Sequence, residues 1–296
     1  MTALRLLDRT LDVEPGRPLI MGIVNAGEDS FSDAVRLDTL EGQVRRGLEL
    51  AAQGADLVDV GAESGVTYTP ATAAGEEAAR VVPVIERLAA EGVSVSADTW
   101  KPEVARAALD AGAVMLNDVS GLRDPALADL AARTGAALVL MHTRAEPKRA
   151  IFPHYDDVAA DVEAFLRERM ALARARGVAE EQLVLDPGPD FAKTPQQTVA
   201  VLRDLGRLRA LGRPLLLAVS RKYFLGAITG RPPGERLAGT LAAAAWAVDA
   251  GAAILRVHDV AAVRDALAVK AVLEGRAEVP AFDAGDEELK WIRADR

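Results

Sequence analysis

Short apolar segments alternate with longer amphipathic segments along most of the chain. Eight apolar segments have the length of strands that are buried on both faces, and their residues do not alternate as those of half-exposed strands do. They lie at residues 19–24, 56–60, 93–97, 113–117, 137–141, 182–186, 215–219 and 253–257. The segments between them carry apolar residues at helical spacing, as Val158, Val162, Phe165 and Met170 show. The pattern predicts eight repeats of a strand and a helix.

Glycines mark the ends of the predicted helices. One stands shortly before seven of the strands: Gly54, Gly92, Gly112, Gly135, Gly177, Gly212 and Gly251. Glycine suits this position because it adopts the left-handed conformation of a helix cap without a Cβ penalty. Eight such units with short returns predict an α/β fold, a TIM (β/α)8 barrel. The alternative is an open doubly wound sheet, but no glycine-rich dinucleotide turn follows the first strand.

The chain is predicted to form one barrel domain over residues 1–275. A length of 296 residues suits a single α/β barrel. The N-terminal segment, residues 1–18, is predicted to be a short strand or hairpin with a turn at Glu14-Pro15-Gly16. Residues 276–296 are polar and acidic and are predicted to form a short C-terminal tail.

Composition excludes several functional classes. The sequence contains no cysteine, which excludes disulfides, thiolate metal sites and a cysteine nucleophile. A formal net charge of −9 argues against nucleic acid or anionic lipid as a partner. Charged residues interrupt the N-terminal apolar residues, and no apolar run reaches the ~20 residues that span a bilayer. We therefore expect a cytoplasmic protein without membrane or nucleic-acid partners.

Polar residues collect where the predicted strands end, which is where the active sites of such barrels lie. They are Asn25, Asp59, Glu63, Asp98, Asn117, Asp118, His142, Asp186, Ser220, Arg221, Lys222, Arg256, His258 and Asp259. Singly, each has a structural interpretation; Asp59 and Asp118, for example, are favoured as helix N-caps. Together these amides, carboxylates and cations suit a flat heterocycle with donors and acceptors on its edge, plus an anionic group.

The segments that carry these residues resemble the dihydropteroate synthases of the pterin-binding barrel family. The matching segments, in the family's order, are MGIVNAGEDSFSD, DLVDVGAES, SADTWKPEVARAALDAGAVMLNDVSG, DPGPDFAK, AVSRKYFLG and LRVHDV. The combination of SRK after the seventh strand with RVHD at the eighth is the specific part of the match. The resemblance implies condensation of a 7,8-dihydropterin-6-ylmethyl diphosphate with p-aminobenzoate, which releases pyrophosphate in folate biosynthesis.

The resemblance also assigns roles to residues. It places the pterin against Asp98, Asn117, Asp186, Lys222 and Phe191. It places the diphosphate against Asn25, Arg256 and His258, with Mg²⁺ as the cofactor near Asn25. It places p-aminobenzoate against Ser220, Arg221 and Phe31. Asp98, Lys222 and Asn25 are the expected catalytic residues, and a homodimer is the expected assembly.

Three differences from the family's usual pattern keep an alternative open. Ala26-Gly27-Glu28 replace the usual residues of the first loop, and Gly65-Val66-Thr67-Tyr68 replace a stretch that normally contains arginine. Asp190 stands where the family favours glycine, and Arg144 is a candidate to replace the missing cation. The alternative is a pterin-binding paralogue without synthase activity. A pterin-dependent methyltransferase with a corrinoid partner is disfavoured by the SRK and RVHD segments.

Overall fold

Strands and helices alternate along the part of the chain that the structure describes, which holds ten strands and ten α-helices; two α-helices instead of the predicted one follow β8, and two follow β9. The computed structural model describes residues 2–7, 9–27, 39–63, 70–149 and 151–279. The strands are β1 (Thr2–Arg5), β2 (Thr10–Val13), β3 (Leu19–Asn25), β4 (Leu57–Gly61), β5 (Val95–Asp98), β6 (Met115–Asp118), β7 (Ala137–Met141), β8 (Leu183–Asp186), β9 (Leu216–Leu217) and β10 (Ile254–Val257). The helices are α1 (Leu40–Ala52), α2 (Ala74–Ala90), α3 (Pro102–Asp110), α4 (Ala126–Thr134), α5 (Val158–Ala175), α6 (Pro195–Arg203), α7 (Leu205–Arg209), α8 (Tyr223–Thr229), α9 (Leu237–Asp249) and α10 (Val260–Leu273).

Strands β3 to β10 form one parallel sheet that closes on itself. Their order in the sheet is β8-β7-β6-β5-β4-β3-β10-β9. The two outer strands meet through a parallel bridge between Leu185 and Leu215, where the Leu185 amide donates to the carbonyl of Pro214 at 2.9 Å. This closure confirms the predicted TIM barrel and excludes the open doubly wound sheet.

The strands are buried on both faces, but the two faces have different neighbours. Val58, Leu138 and Leu255 belong to the cluster that packs between the sheet and the helices. Met21 and Val184 belong to a second cluster inside the barrel. Because side chains alternate along a strand, the inward series continues toward the carboxyl end of each strand and becomes polar there. The inner face therefore carries the candidate chemistry, and the outer face carries the packing against the helices.

An N-terminal hairpin covers the opposite end of the barrel. Strands β1 and β2 pair antiparallel, and their Leu4, Leu6 and Val13 pack with the inward-facing residues of the barrel. Arg213, which precedes β9, donates to the carbonyl of Ala3 at 2.9 Å and to that of Leu183 at 3.3 Å. The hairpin thus seals the bottom of the barrel, so the cavity opens at the carboxyl ends of the strands.

The predicted helix caps agree with the backbone. All seven glycines named above have positive φ angles, from +77° at Gly212 to +106° at Gly112. The predicted strand at 215–219 is shortened to the two residues of β9. The last helix ends at Leu273, and most of the predicted tail, residues 280–296, lies outside the described residues. In the described part of the chain, no helix combines the length and the apolar character needed to cross a membrane.

Candidate active site

One cavity of about 440 Å³ lies at the carboxyl ends of the barrel strands. Ten of the eleven predicted site residues line it: Asn25, Asp98, Asn117, Asp186, Phe191, Ser220, Arg221, Lys222, Arg256 and His258. The eleventh, Phe31, lies outside the described residues. The structure therefore brings together side chains from strands that are far apart in the sequence, such as Asn25 at the end of β3 and Arg256 in β10. Their individual roles remain predictions.

Arg256 connects two carboxylates on the inner face of the barrel. Its Nε donates to Asp59 Oδ2 at 2.7 Å, and its NH2 group donates to Asp98 Oδ2 at 2.8 Å. Oδ1 of Asp59 and Oδ1 of Asp98 are buried and have no hydrogen-bond partner among the described residues. Burial, together with the charge of Asp59, raises the pKa of Asp98 to about 7. One guanidinium thus compensates two carboxylates only in part.

The contacts of Asp59 differ from those that the sequence pattern predicts. Its favoured interpretation, a helix N-cap, is wrong: Asp59 lies inside β4 and is fully buried. Its Oδ2 also accepts from Asn117 Nδ2 at 3.0 Å, so Asp59 orients both Asn117 and Arg256. The signal that locates it is the alternation along β4, which points Leu57, Asp59 and Gly61 to the same face. The N-cap interpretation is also wrong for Asp118, which ends β6 and accepts from the amides of Ser120 and Leu122 in the loop that follows, whereas the N-cap residue of α4 is Pro125.

Asp186 ends β8 and begins a loop of unusual backbone conformation. Its Oδ1 accepts from the Gly188 amide at 2.7 Å, while burial raises its pKa to about 6. Gly188, Asp190 and Ala192 all have positive φ angles, which turn the chain sharply. The loop places the Phe191 ring under the ammonium of Lys222, 4.5 Å from the ring centroid. The Phe191 ring, the Lys222 ammonium and the buried Asp186 carboxylate therefore line the same cavity.

A fully buried lysine holds this loop in place. Lys193 Nζ donates to the carbonyls of Gly188 at 3.0 Å and Phe191 at 3.1 Å, and it lies 2.7 Å from His142 Nδ1. Burial lowers the pKa of Lys193 to about 7, and burial together with the Lys193 charge lowers that of His142 to about 3. His142 Nε2 lies 2.9 Å from Asp161 Oδ2. The neutral imidazole therefore accepts from Lys193 and donates to Asp161.

The Ser220 hydroxyl forms hydrogen bonds with His258. Its Oγ lies 3.0 Å from His258 Nδ1 and accepts from the His258 amide at 3.3 Å. Burial and the nearby Arg221 charge lower the pKa of His258 to about 3. Because the hydroxyl can donate to Nδ1, the imidazole hydrogen is placed on Nε2. Ser220 thus orients a neutral histidine, a function that the sequence motif does not reveal.

Two arginines at the site are held by carboxylates. Arg221, whose φ is +56°, donates to both oxygens of Asp259 at 3.1 and 2.7 Å. Arg144 forms a similar two-point contact with Asp161 at 3.0 and 2.6 Å and does not line the cavity. The hypothesis that Arg144 replaces the cation missing from the second loop is therefore wrong, because its guanidinium supports α5 instead.

A buried ion cluster joins the two ends of the second loop. Lys101 Nζ lies 2.5 Å from carboxylate oxygens of Glu63 and of Glu77, and it donates to the Thr72 carbonyl at 2.6 Å. Lys148, from the loop between β7 and α5, lies 3.2 Å from Glu63. The interior of this loop, residues 64–69, and residues 28–38 of the first loop lie outside the described residues. The altered motifs of both loops, apart from Ala26 and Gly27, fall in those ranges.

Comparison with known proteins identifies the family. The model of the pterin binding enzyme family matches residues 21–258. The chain belongs to this pterin-binding enzyme family. The dihydropteroate synthase of Mycobacterium leprae is 45% identical over 259 residues, which are 84% of this chain and 91% of that protein. The corresponding protein of Escherichia coli is 37% identical over 268 residues, 90% of this chain and 95% of that protein.

Solved structures of pterin-binding enzymes share the barrel. The dihydropteroate synthase of Xanthomonas albilineans with 4-aminobenzoic acid has a TM-score of 0.85 and 46% identity, over 94% of this chain and 100% of that chain. The same protein in complex with 7,8-dihydropteroate has a TM-score of 0.81 and 45% identity, over 93% and 100% of the two chains. The predicted family and fold are thereby confirmed.

The contacts of Lys193 predict different outcomes for substitutions of two lysines near the cavity, Lys193, which is fully buried, and Lys222, which is partly buried. We expect Lys193→Met to lower the free energy of unfolding by roughly 1–3 kcal/mol, because buried carbonyls lose their donor. Lys222→Met is the matched control, since the described contact of Lys222 is with a ring and burial lowers its pKa. We expect this second variant to keep full stability. Urea unfolding of the wild-type protein and of both variants measures these free energies. Equal values for the two variants would contradict the role of Lys193.

Proposed function

We propose that the protein is a dihydropteroate synthase. The amine nitrogen of p-aminobenzoate bonds to the exocyclic methylene of the 7,8-dihydropterin, and the bond from that carbon to the diphosphate oxygen breaks. Pyrophosphate leaves with the bonding electrons, and the amine loses a proton. The family match and the relatives named dihydropteroate synthase support this activity rather than that of a binding paralogue.

The observation that carries the proposal is the set of polar groups around one cavity. Asp98, Asn117 and Asp186 present acceptors, and Lys222 presents a cation beside the flat Phe191 ring. An aminopyrimidine edge supplies N–H donors to carboxylates, and such charge-assisted hydrogen bonds are strong and directional. Oδ1 of the same Asp98 carboxylate is buried, and none of the residues that the structure describes forms a hydrogen bond with it. Binding of a donor-rich ring would remove that unfavourable state.

Fixed carboxylates also favour the reaction itself. Departure of the diphosphate ahead of nucleophilic attack leaves positive charge on the methylene and the ring. Asp98 is already held by Arg256, and Asp186 by the Gly188 amide, so neither reorganises as that charge develops. Arg256 retains donors beyond those that bind Asp59 and Asp98, because a guanidinium has five N–H groups. These donors and the Nε2–H of His258 are the proposed partners of the diphosphate.

Mg²⁺ is proposed to accompany the diphosphate. Asn25, at the end of β3, lines the cavity and offers one amide oxygen. Among the described residues no group of three or more histidines or acidic residues is placed to hold a metal. A single protein oxygen fits Mg²⁺, which commonly keeps its waters and binds through substrate phosphates. When bound, the ion would neutralise charge on the leaving group.

A direct assay tests the proposed function. Purified protein is titrated by calorimetry with the dihydropterin diphosphate and Mg²⁺, and p-aminobenzoate is then added with detection of dihydropteroate. We expect binding followed by product and stoichiometric pyrophosphate. Omission of Mg²⁺ with a chelator present should weaken the first step. Tight pterin binding without product would contradict synthase activity and favour the binding paralogue.

The pterin assignment predicts the effect of a minimal substitution in β8. Asp186→Asn keeps an oxygen that accepts from Gly188, so the fold should be preserved, as thermal unfolding can verify. The loss of the negative charge should reduce pterin affinity about 100-fold, since hydrogen bonds to charged groups contribute about 1.5–3 kcal/mol. Unchanged affinity in calorimetric titration would show that the ring binds elsewhere.

Raised carboxyl pKa values predict a pH dependence of pterin binding. The pKa is about 7 for Asp98 and about 6 for Asp186, and the ligand selects the ionised forms. Binding below about pH 7 therefore releases protons. Affinity should be constant above about pH 7, fall roughly tenfold per unit between about pH 7 and pH 6, and fall more steeply below about pH 6, where both carboxyls are protonated. Asp98→Asn should remove the upper part of this dependence. Constant affinity from pH 5.5 to 8 would contradict ionised acceptors.

The homodimer expected from the sequence is also proposed, through helices α9 and α10. Trp246 of α9 is 54% exposed, and Val269 and Leu273 of the adjacent α10 are 60% and 81% exposed. Large apolar side chains at such exposure are typical of interaction surfaces when they group together. We also propose a cytoplasmic location for the protein, as the sequence predicts.

A charge placed on that surface should separate the subunits. We expect Trp246→Glu to be monomeric in light scattering coupled to size exclusion, because a carboxylate would be desolvated at the interface. Leu48→Glu on α1, where Leu48 is 36% exposed, is the control and should leave the mass unchanged. A monomeric wild-type protein would refute the dimer.

A further inference from the structure

The described part of the loop between β7 and α5, residues 142–149 and 151–157, lines the cavity and is anchored at several points. Lys148, at a φ of +67°, lies with its ammonium 3.2 Å from Glu63, which follows β4 and also lines the cavity. Both side chains are buried, at 9% and 1% exposure. Further along the loop, the Tyr155 hydroxyl donates to the Ala192 carbonyl at 2.9 Å. The loop is therefore a fixed wall of the cavity rather than a peripheral segment.

The anchor at Lys148 places the next residue, Arg149, at the rim of the cavity. Two other arginines that line the cavity are held by carboxylates: Arg256 by Asp59 and Asp98, and Arg221 by Asp259. Arg149 is different, because its described partner is Glu146, 3.2 Å away and in the same turn. The side chains of Arg149 and Glu146 are 71% and 61% exposed, and Glu146 also lines the cavity.

An exposed ion pair of this kind is weak and exchanges its partner at little cost. Measured contributions of exposed pairs are about 0.2–1 kcal/mol. An anionic group that enters the cavity mouth can therefore replace Glu146 on the guanidinium. A planar guanidinium also suits a carboxylate, because it donates two parallel hydrogen bonds. Glu146 itself opposes such a ligand, since its carboxylate has the same charge.

We propose that Arg149 is a specificity-determining residue that binds the carboxylate of the aromatic amine substrate, in exchange for Glu146. The inference rests on the proposed function for the identity of that substrate. The pterin subsite lies deeper, at Asp98, Asn117 and Asp186, so the two ends of the cavity would select the two substrates separately. The β7–α5 loop would thus supply a cation at the side of the mouth where the second loop begins.

Two substitutions that should change the affinity for 4-aminobenzoate in opposite directions test the proposal. Calorimetry gives the affinity for 4-aminobenzoate and for the uncharged 4-aminobenzamide, and steady-state assays give KM for each substrate. Arg149→Met should weaken binding of the acid about five- to tenfold and leave the amide unchanged. Glu146→Gln should strengthen binding of the acid about two- to fivefold, because it removes the competing charge. Arg149→Lys should recover part of the affinity.

A control and the contrary outcomes complete the experiment. Arg133→Met, an exposed arginine near the C-terminus of α4 and thus at the opposite end of the barrel, should change neither affinity. KM for the pterin diphosphate should stay constant in all variants. Equal binding of acid and amide by the wild-type protein, or unchanged acid binding in Arg149→Met, would overturn the role of Arg149. Absence of dihydropteroate with the wild-type protein would refute the proposed function alone, because the two affinities are measured without turnover.

Discussion

The contact of Arg256 with Asp59 and Asp98 is the interaction on which the rest of the site depends. Two carboxylates share one guanidinium on the inner face of the barrel, and each keeps one buried oxygen without a partner in the described part of the chain. Such a group is costly in the interior of a protein. The barrel accommodates it because helices outside the sheet and the hairpin at its base supply a large apolar core. The site is therefore incomplete in charge and hydrogen bonding, and a ligand with several N–H donors completes it.

Alternation along the strands explains how this site and the core coexist in one sheet. A strand of four or five residues points some side chains to the helices and the others inward, so a single strand such as β8 contributes Leu185 to packing and Asp186 to the cavity. The inward series is apolar near the hairpin and polar at the carboxyl end. A substitution on the outer face thus acts first on stability, while one at the end of the inner face acts first on chemistry.

The sequence allowed the barrel to be predicted because its signals are local. Each glycine cap and each apolar strand depends on a few neighbouring residues, and the structure has them where the pattern placed them. Asp59 was misassigned because an aspartate near a strand end is usually a cap, and only its inward direction identifies it. Lys193 ends the segment DPGPDFAK, but the segment does not reveal its role, since its partners His142 and Gly188 meet it only in the folded chain. The same holds for Ser220, whose contact with His258 joins two separate strands.

The neutral state of both buried histidines sets how charge is distributed at the cavity. Burial lowers the pKa of His142 and of His258 to about 3, so neither adds positive charge at neutral pH. Besides Arg149 at the rim, the cations that line the cavity are Arg256, Arg221 and Lys222, which are adjacent to carboxylates or to the Phe191 ring. In the proposed reaction, a diphosphate accompanied by Mg²⁺ would bring part of its own compensation. The protein would then need only oriented donors at that end of the cavity, and its fixed carboxylates would serve the ring on which positive charge develops.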